Sequence, residues 1–126
     1  MNKITYITPC FAVTGALDRA DFAAAAALGF RAIVSNLPDG ESSRYPSGAA
    51  EGKFAADAGL SFRHIPATKH EVFGDRVVDA TSSALSELQG PVLAHCASGL
   101  RSTLAWAAAA ARSQPAGCVR PCNHSR

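Results

Sequence analysis

The chain is short of charge and shorter still of charge imbalance: 17% of its 126 residues are charged, with 12 Lys and Arg against 10 Asp and Glu. A surface built to neutralise nucleic-acid phosphates gathers its Lys and Arg into a patch or run, often with aromatics interleaved. No such run occurs, so nucleic acid is excluded as a partner and positive charge is expected to act locally. Long apolar stretches are missing too. Met1-Asn2-Lys3-Ile4-Thr5-Tyr6 turns polar at once, unlike the opening of a signal peptide, and no segment is long enough to span a bilayer. A cytoplasmic protein with no membrane partner is expected. Cysteine is scarce: Cys10, Cys96, Cys118 and Cys122 stand in unlike contexts, and cytosolic thiols normally stay reduced, so no disulfide framework is expected. What the chain does have is 48% hydrophobic residues, enough for one buried core and one domain.

The pattern along the chain alternates between strand and helix. Ile4 to Ile7 and Phe11 to Thr14 are β-prone runs broken by Pro9, which predicts an opening hairpin at a sheet edge. Asp18 is a helix cap for an Ala-rich segment through Ala27, which Gly29 stops. Arg31 to Ser35 follows as a strand, then a turn-rich loop from Asn36 to Pro46. Ser47 caps a second helix ending near Gly59, and Leu60 to Ile65 is the next strand. After a loop from Pro66 to Gly74, the helical spacing of Val77, Val78, Ala84, Leu85 and Leu88 predicts an amphipathic helix closed by Gly90-Pro91. Val92 to His95 reads as a buried central strand and Thr103 to Arg112 as a buried helix. This alternation predicts an α/β domain over residues 1–112, with a mainly parallel sheet whose ligands bind outside the carboxyl ends of the strands. Residues 113–126 lose all periodicity and are expected to form a flexible or altered tail. Its Cys118, Cys122 and His124 lack the fourth partner that a structural zinc site needs, so no metal is expected.

Cys96 falls just after the buried strand, in His95-Cys96-Ala97-Ser98-Gly99-Leu100-Arg101-Ser102. A thiol with a pKa near 8.5 supplies little thiolate at neutral pH unless a helix N-terminus or a cation stabilises the anion. Both are at hand. The backbone N–H groups of Ala97, Ser98, Gly99, Leu100 and Arg101 are placed to curl round one point as an anion cradle, with Gly99 giving the conformational freedom a tight cradle demands. Arg101 closes the loop with a planar fork for two oxygens of an oxyanion, and Ser102 is expected to hydrogen-bond the Cys96 sulfur. His95 is a candidate to orient Cys96 from the strand, or a structural histidine. Cys10 is expected to be a core or edge residue rather than a resolving thiol, and His64 and His70 to be structural or solvated.

On these residues the chain resembles the family called beta-lactamase-hydrolase-like protein, phosphatase-like domain, some of whose members are sulfur transferases. The likeness runs from about Ile4 to Ala110 through Val13-Thr14-Gly15-Ala16-Leu17, Asn36-Leu37-Pro38-Asp39-Gly40-Glu41, Phe62-Arg63-His64-Ile65-Pro66, Gly90-Pro91-Val92-Leu93-Ala94-His95-Cys96 and Ser98-Gly99-Leu100-Arg101-Ser102-Thr103. The last segment is the specific one. The resemblance implies a three-layer αβα cysteine phosphatase-like fold with a central, mainly parallel sheet and an N-terminal hairpin. It carries the nucleophile onto Cys96 and the anion-binding arginine onto Arg101, and it implies a hydrolase or dioxygenase as a partner. Members continue with a further short helix where this chain runs into Cys118-Val119-Arg120-Pro121-Cys122.

Two chemistries compete for this loop. A tyrosine-phosphatase signature places five residues between Cys and Arg, whereas here Ala97, Ser98, Gly99 and Leu100 intervene, and the shorter loop is similar to that of rhodaneses. Dual-specificity phosphatases carry a general-acid Asp soon after an Ile-Pro pair, where this chain reads Ile65-Pro66-Ala67-Thr68-Lys69. A missing proton donor costs a factor of about 10² to 10⁴. Asp39, in a supporting role, and Glu41, Glu71 or Asp75 are the candidates to supply it from nearby loops. The sequence therefore favours a sulfur transferase that forms a persulfide on Cys96 from thiosulfate or a low-molecular-weight persulfide. The alternative is a phosphatase-like hydrolase of phosphate esters working through a phosphocysteine, with a redox-sensing module as a third, non-enzymatic reading. None of the three requires a metal or organic cofactor.

Overall fold

The computed structural model describes residues 1–113; Ser113, the first residue of the expected tail, still belongs to the last helix, and the rest of that tail, with Cys118, Cys122 and His124, lies outside the described residues. Strands β1 (Thr5–Thr8) and β2 (Phe11–Thr14) pair antiparallel as the expected hairpin. The Cys10 N–H donates to Thr8 Oγ1 at 3.1 Å within the turn. Cys96 is a free, buried thiol.

Helix α1 (Arg19–Ala27) opens with a reciprocal cap: Asp18 accepts the Asp21 N–H at 3.1 Å, and Asp21 accepts the Asp18 N–H at 3.0 Å. Strand β3 (Ala32–Ser35) leads by the long loop to α2 (Gly48–Asp57), capped by Ser47. Strand β4 (Ser61–His64), α3 (Asp75–Glu87), β5 (Val92–His95) and α4 (Leu100–Ser113) complete the order. The sheet order is β1-β2-β5-β3-β4, with β2, β5, β3 and β4 all parallel and β5 in the middle.

The three inner strands, β2, β3 and β5, are buried at every position because alternate residues serve two cores. Val92 and Ala94 of β5 join Val77, Ala84 and Ala105 on the α3/α4 face, while Leu93 joins Phe22, Ala25 and Ala55 on the α1/α2 face. The same alternation puts Val34 on the first face and Ile33 on the second. Leu93 and Ile33 are wholly removed from water, which contributes about 1.5–3 kcal/mol for each. These three layers are the αβα arrangement expected. They aim the carboxyl ends of four parallel strands at one edge, and the segment after β5 emerges at its centre.

Candidate active site

The chain leaves β5 between the ends of its two neighbours. The Cys96 N–H approaches Thr14 O of β2 at 3.4 Å, and the Asn36 N–H, just past β3, donates to His95 O at 2.8 Å. Cys96 itself is fully buried, while Ala97 and Ser98 are exposed. The backbone then doubles back through Gly99, whose φ of +92° lies in the region that favours glycine. A Cβ there would also stand 3.4 Å from Thr14 O. The turn brings the Gly99 N–H to 3.1 Å from the Cys96 sulfur.

Helix α4 starts at Leu100, three residues earlier than the sequence indicates, because the Gly99 carbonyl accepts both the Thr103 N–H at 3.0 Å and its hydroxyl at 2.8 Å. Leu100 and Arg101 therefore belong to the first turn of a helix 14 residues long. The positive end of its dipole faces the sulfur.

Arg101 does not present an empty fork. Its Nη1 and Nη2 donate to Oε1 and Oε2 of Glu41, each at 2.7 Å, and Nη1 also donates to Ala67 O at 3.0 Å. The hydrogen bond from Arg101 holds the Glu41 carboxyl below its ordinary range. Glu41 in turn pushes the guanidinium above its ordinary value, with a smaller contribution from Cys96, so the cation lies alongside the thiol. Glu41 and Ala67 take three of the five guanidinium N–H groups, and the Nε hydrogen and one on Nη2, which share one edge, are left for Cys96 and a ligand.

Ser102 departs from its expected contact with Cys96. Its hydroxyl donates instead to Asn36 Oδ1 at 2.7 Å, and Asn36 Nδ2 donates to Ile65 O at 2.8 Å. This buried relay fastens α4 to the ends of β3 and β4. Asp39 is likewise turned to other use: its Oδ1 accepts the Gly48 N–H at 2.7 Å, which pins the loop after β3 to the start of α2. His64 assists there, its Nε2 lying 2.7 Å from Leu37 O.

His95 follows Leu93 onto the α1/α2 face, away from α4, and its Nε2 stands 2.7 Å from Oε1 of Glu51 on α2. Both side chains are buried, and neither His95 Nδ1 nor Glu51 Oε2 has a hydrogen-bond partner among the described residues. The structure thus brings together Cys96, Gly99 and Arg101, places Ser102 and His95 in supporting pairs, and takes Asp39 away. Glu41, Asn36 and Glu51 are the additions that the sequence did not assign to these roles.

The profile of the family described as beta-lactamase hydrolase-like protein, phosphatase-like domain, matches residues 3–113. A beta-lactamase hydrolase-like protein of Xylella fastidiosa is 31% identical over 105 residues, covering 83% of this chain and 24% of the relative. One from Agrobacterium fabrum is 33% identical over 103 residues, 79% of this chain and 23% of the relative. The chain therefore spans about a quarter of the length of the curated relatives it matches. Among solved structures, one described as a "putative phosphatase" from Neisseria meningitidis superposes with a TM-score of 0.77 at 29% identity, over 89% of this chain and 80% of that one.

Proposed function

The chain belongs to the beta-lactamase hydrolase-like, phosphatase-like domain family and has its cysteine phosphatase-like fold, and from that premise we propose that it is a phosphatase-like hydrolase with Cys96 as nucleophile. The observation that carries the proposal is the posture of Arg101. Glu41 holds the Nη1–Nη2 end of the guanidinium, which turns the Nε–Nη2 edge toward the Cys96 thiol, where two oxygens of a phosphoryl group bound at the sulfur can take over its contact with Cys96. The Gly99 N–H and the α4 dipole stabilise the thiolate before attack and take up oxyanion charge during it. Cys96 Sγ attacks phosphorus, the bond to the leaving oxygen breaks, and water then cleaves the phosphocysteine.

The test is release of inorganic phosphate from 4-nitrophenyl phosphate with no sulfur compound present. Wild type is expected to turn over, and Cys96→Ser to lose all turnover. Activity retained in Cys96→Ser removes the proposal.

Sulfur transfer, which the sequence favours, stays as the second reading because of one specific observation: among the described residues the nearby carboxylates are all engaged and none stands ready to protonate a leaving group, and sulfite leaving from thiosulfate needs none. Intact mass after incubation with thiosulfate decides it. One sulfur gained by wild type, lost to an added thiol and absent from Cys96→Ser, would make persulfide chemistry the main activity.

A further inference from the structure

All 10 carboxylates of the chain lie within the described residues, so each can be followed to its use. At the edge where Cys96 emerges, Asp39 accepts the Gly48 N–H and Glu41 is gripped by both ends of the Arg101 fork. Glu71 folds back on its own loop, accepting the Thr68 N–H at 2.9 Å with Arg76 at 3.6 Å. These bonds hold both Glu41 and Glu71 below the ordinary glutamate range, and an ionised carboxylate has no proton to give. Asp18 and Asp21 face the same edge but are spent on the α1 cap. Glu51 is sealed behind β5 against His95.

The remaining carboxylates lie elsewhere. Asp75 and Asp79 pair with Arg112 on the α3/α4 surface, and Glu87 pairs with Arg63. Asp57 ends α2 and precedes β4, which puts it at the amino ends of the parallel strands, opposite Cys96. The loop after β4, where Ala67 touches Arg101, carries Lys69 and His70 ahead of Glu71, whose carboxylate is already engaged by Thr68 and Arg76.

Resting on the phosphatase reading, we propose that this site takes phosphoryl donors whose leaving group departs as a stable anion, namely phosphoanhydrides, acyl phosphates and esters of acidic phenols, and rejects alkyl phosphates. In the first step the Cys96 S–P bond forms and the P–O bond breaks, and the leaving oxygen keeps the electron pair with no proton from the protein. In the second, a water O–P bond forms, the S–P bond breaks, and the water proton passes to solvent. The residues present discriminate by leaving-group basicity because no carboxylic acid among the described residues compensates for it, whereas a positioned acid is worth a factor of about 10² to 10⁴.

The experiment measures kcat/KM of the full chain for 4-nitrophenyl phosphate, a set of fluorinated phenyl phosphates, phenyl phosphate, glycerol phosphate and acetyl phosphate. Phenyl phosphate is expected to fall at least about 100-fold below 4-nitrophenyl phosphate, acetyl phosphate to be a good substrate, and glycerol phosphate to give no turnover. Rates within about 10-fold across the series would reveal a proton donor and overturn the inference. A series that is flat in wild type and becomes steep in His70→Ala would overturn it too, by naming that donor. If no phosphate compound turns over while Cys96 still alkylates with iodoacetamide, the phosphatase reading itself falls, an outcome distinct from a flat series.

Discussion

Replacing Glu51 with Ala should destabilise the domain severely although the residue touches no substrate. Glu51 is 1% exposed and reaches across from α2 to His95, which is wholly buried. Removing the carboxylate leaves the imidazole with both ring nitrogens unpaired among the described residues, since Nδ1 already has no partner there. Stranding one buried polar group costs about 1–3 kcal/mol, and about 3–5 kcal/mol where the broken pair is charged. A loss of about 3 kcal/mol is therefore expected for Glu51→Ala. Glu51→Gln keeps an oxygen for Nε2 and should lose about half as much. Urea unfolding measures both: at about 1–3 kcal/mol/M, the Ala variant should shift its midpoint down by about 1–3 M without a change in slope. A Glu51→Ala protein within about 1 kcal/mol of wild type would refute the argument. So would a Gln variant as unstable as the Ala variant, because the hydrogen bond to His95 would then not be the origin of the loss.

Gly99→Ala would force a side chain into φ +92° and place its Cβ against Thr14 O, with an expected loss of about 1–3 kcal/mol and slower alkylation of Cys96 as the Gly99 N–H leaves the sulfur; unchanged stability and alkylation would refute this. Glu41 carries a pH dependence of definite sign. Its folded carboxyl is held low by Arg101, so its contribution is complete above the ordinary glutamate range and is lost as pH falls through the depressed value. With the Glu41 side chain 31% exposed, that contribution is at most about 1 kcal/mol. Wild type should therefore lose slightly more stability than Glu41→Gln between neutral pH and about pH 3, and identical acid profiles would count against the pairing.

The features legible in the sequence are those that neighbours along the chain determine. The Asp18 and Ser47 caps, the β5 run from Val92 to His95 and the turn at Gly99 each follow from a few adjacent residues, and each formed where local chemistry indicated. The start of α4 did not, because Leu100-Arg101-Ser102 offers no capping side chain; Ser98, before the Gly99 turn, accepts the Leu100 N–H at 3.4 Å. The partners of the site were hidden for a different reason. Arg101 meets Glu41 across 60 positions, Ser102 meets Asn36 across 66, and His95 meets Glu51 across 44.

Strand order explains why those distant residues meet. β3 lies directly beside β5, so the segment leaving β3 and the segment leaving β5 must emerge side by side at the carboxyl edge. Asn36 is the first residue beyond β3, and it takes the hydroxyl of Ser102. Glu41 is five residues further along a loop that Asp39 and His64 pin at its base, and it takes Arg101. A residue type alone could not distinguish Glu41 as a proton donor from Glu41 as a clamp, since a carboxylate serves either role. What decides is the cation it faces: paired with Arg101 it is ionised, and an ionised Glu41 can orient the guanidinium but cannot protonate a leaving group. The same contact that positions the anion site thus removes the nearest acid from it, which is why the restriction to stable leaving groups and the posture of Arg101 stand or fall together.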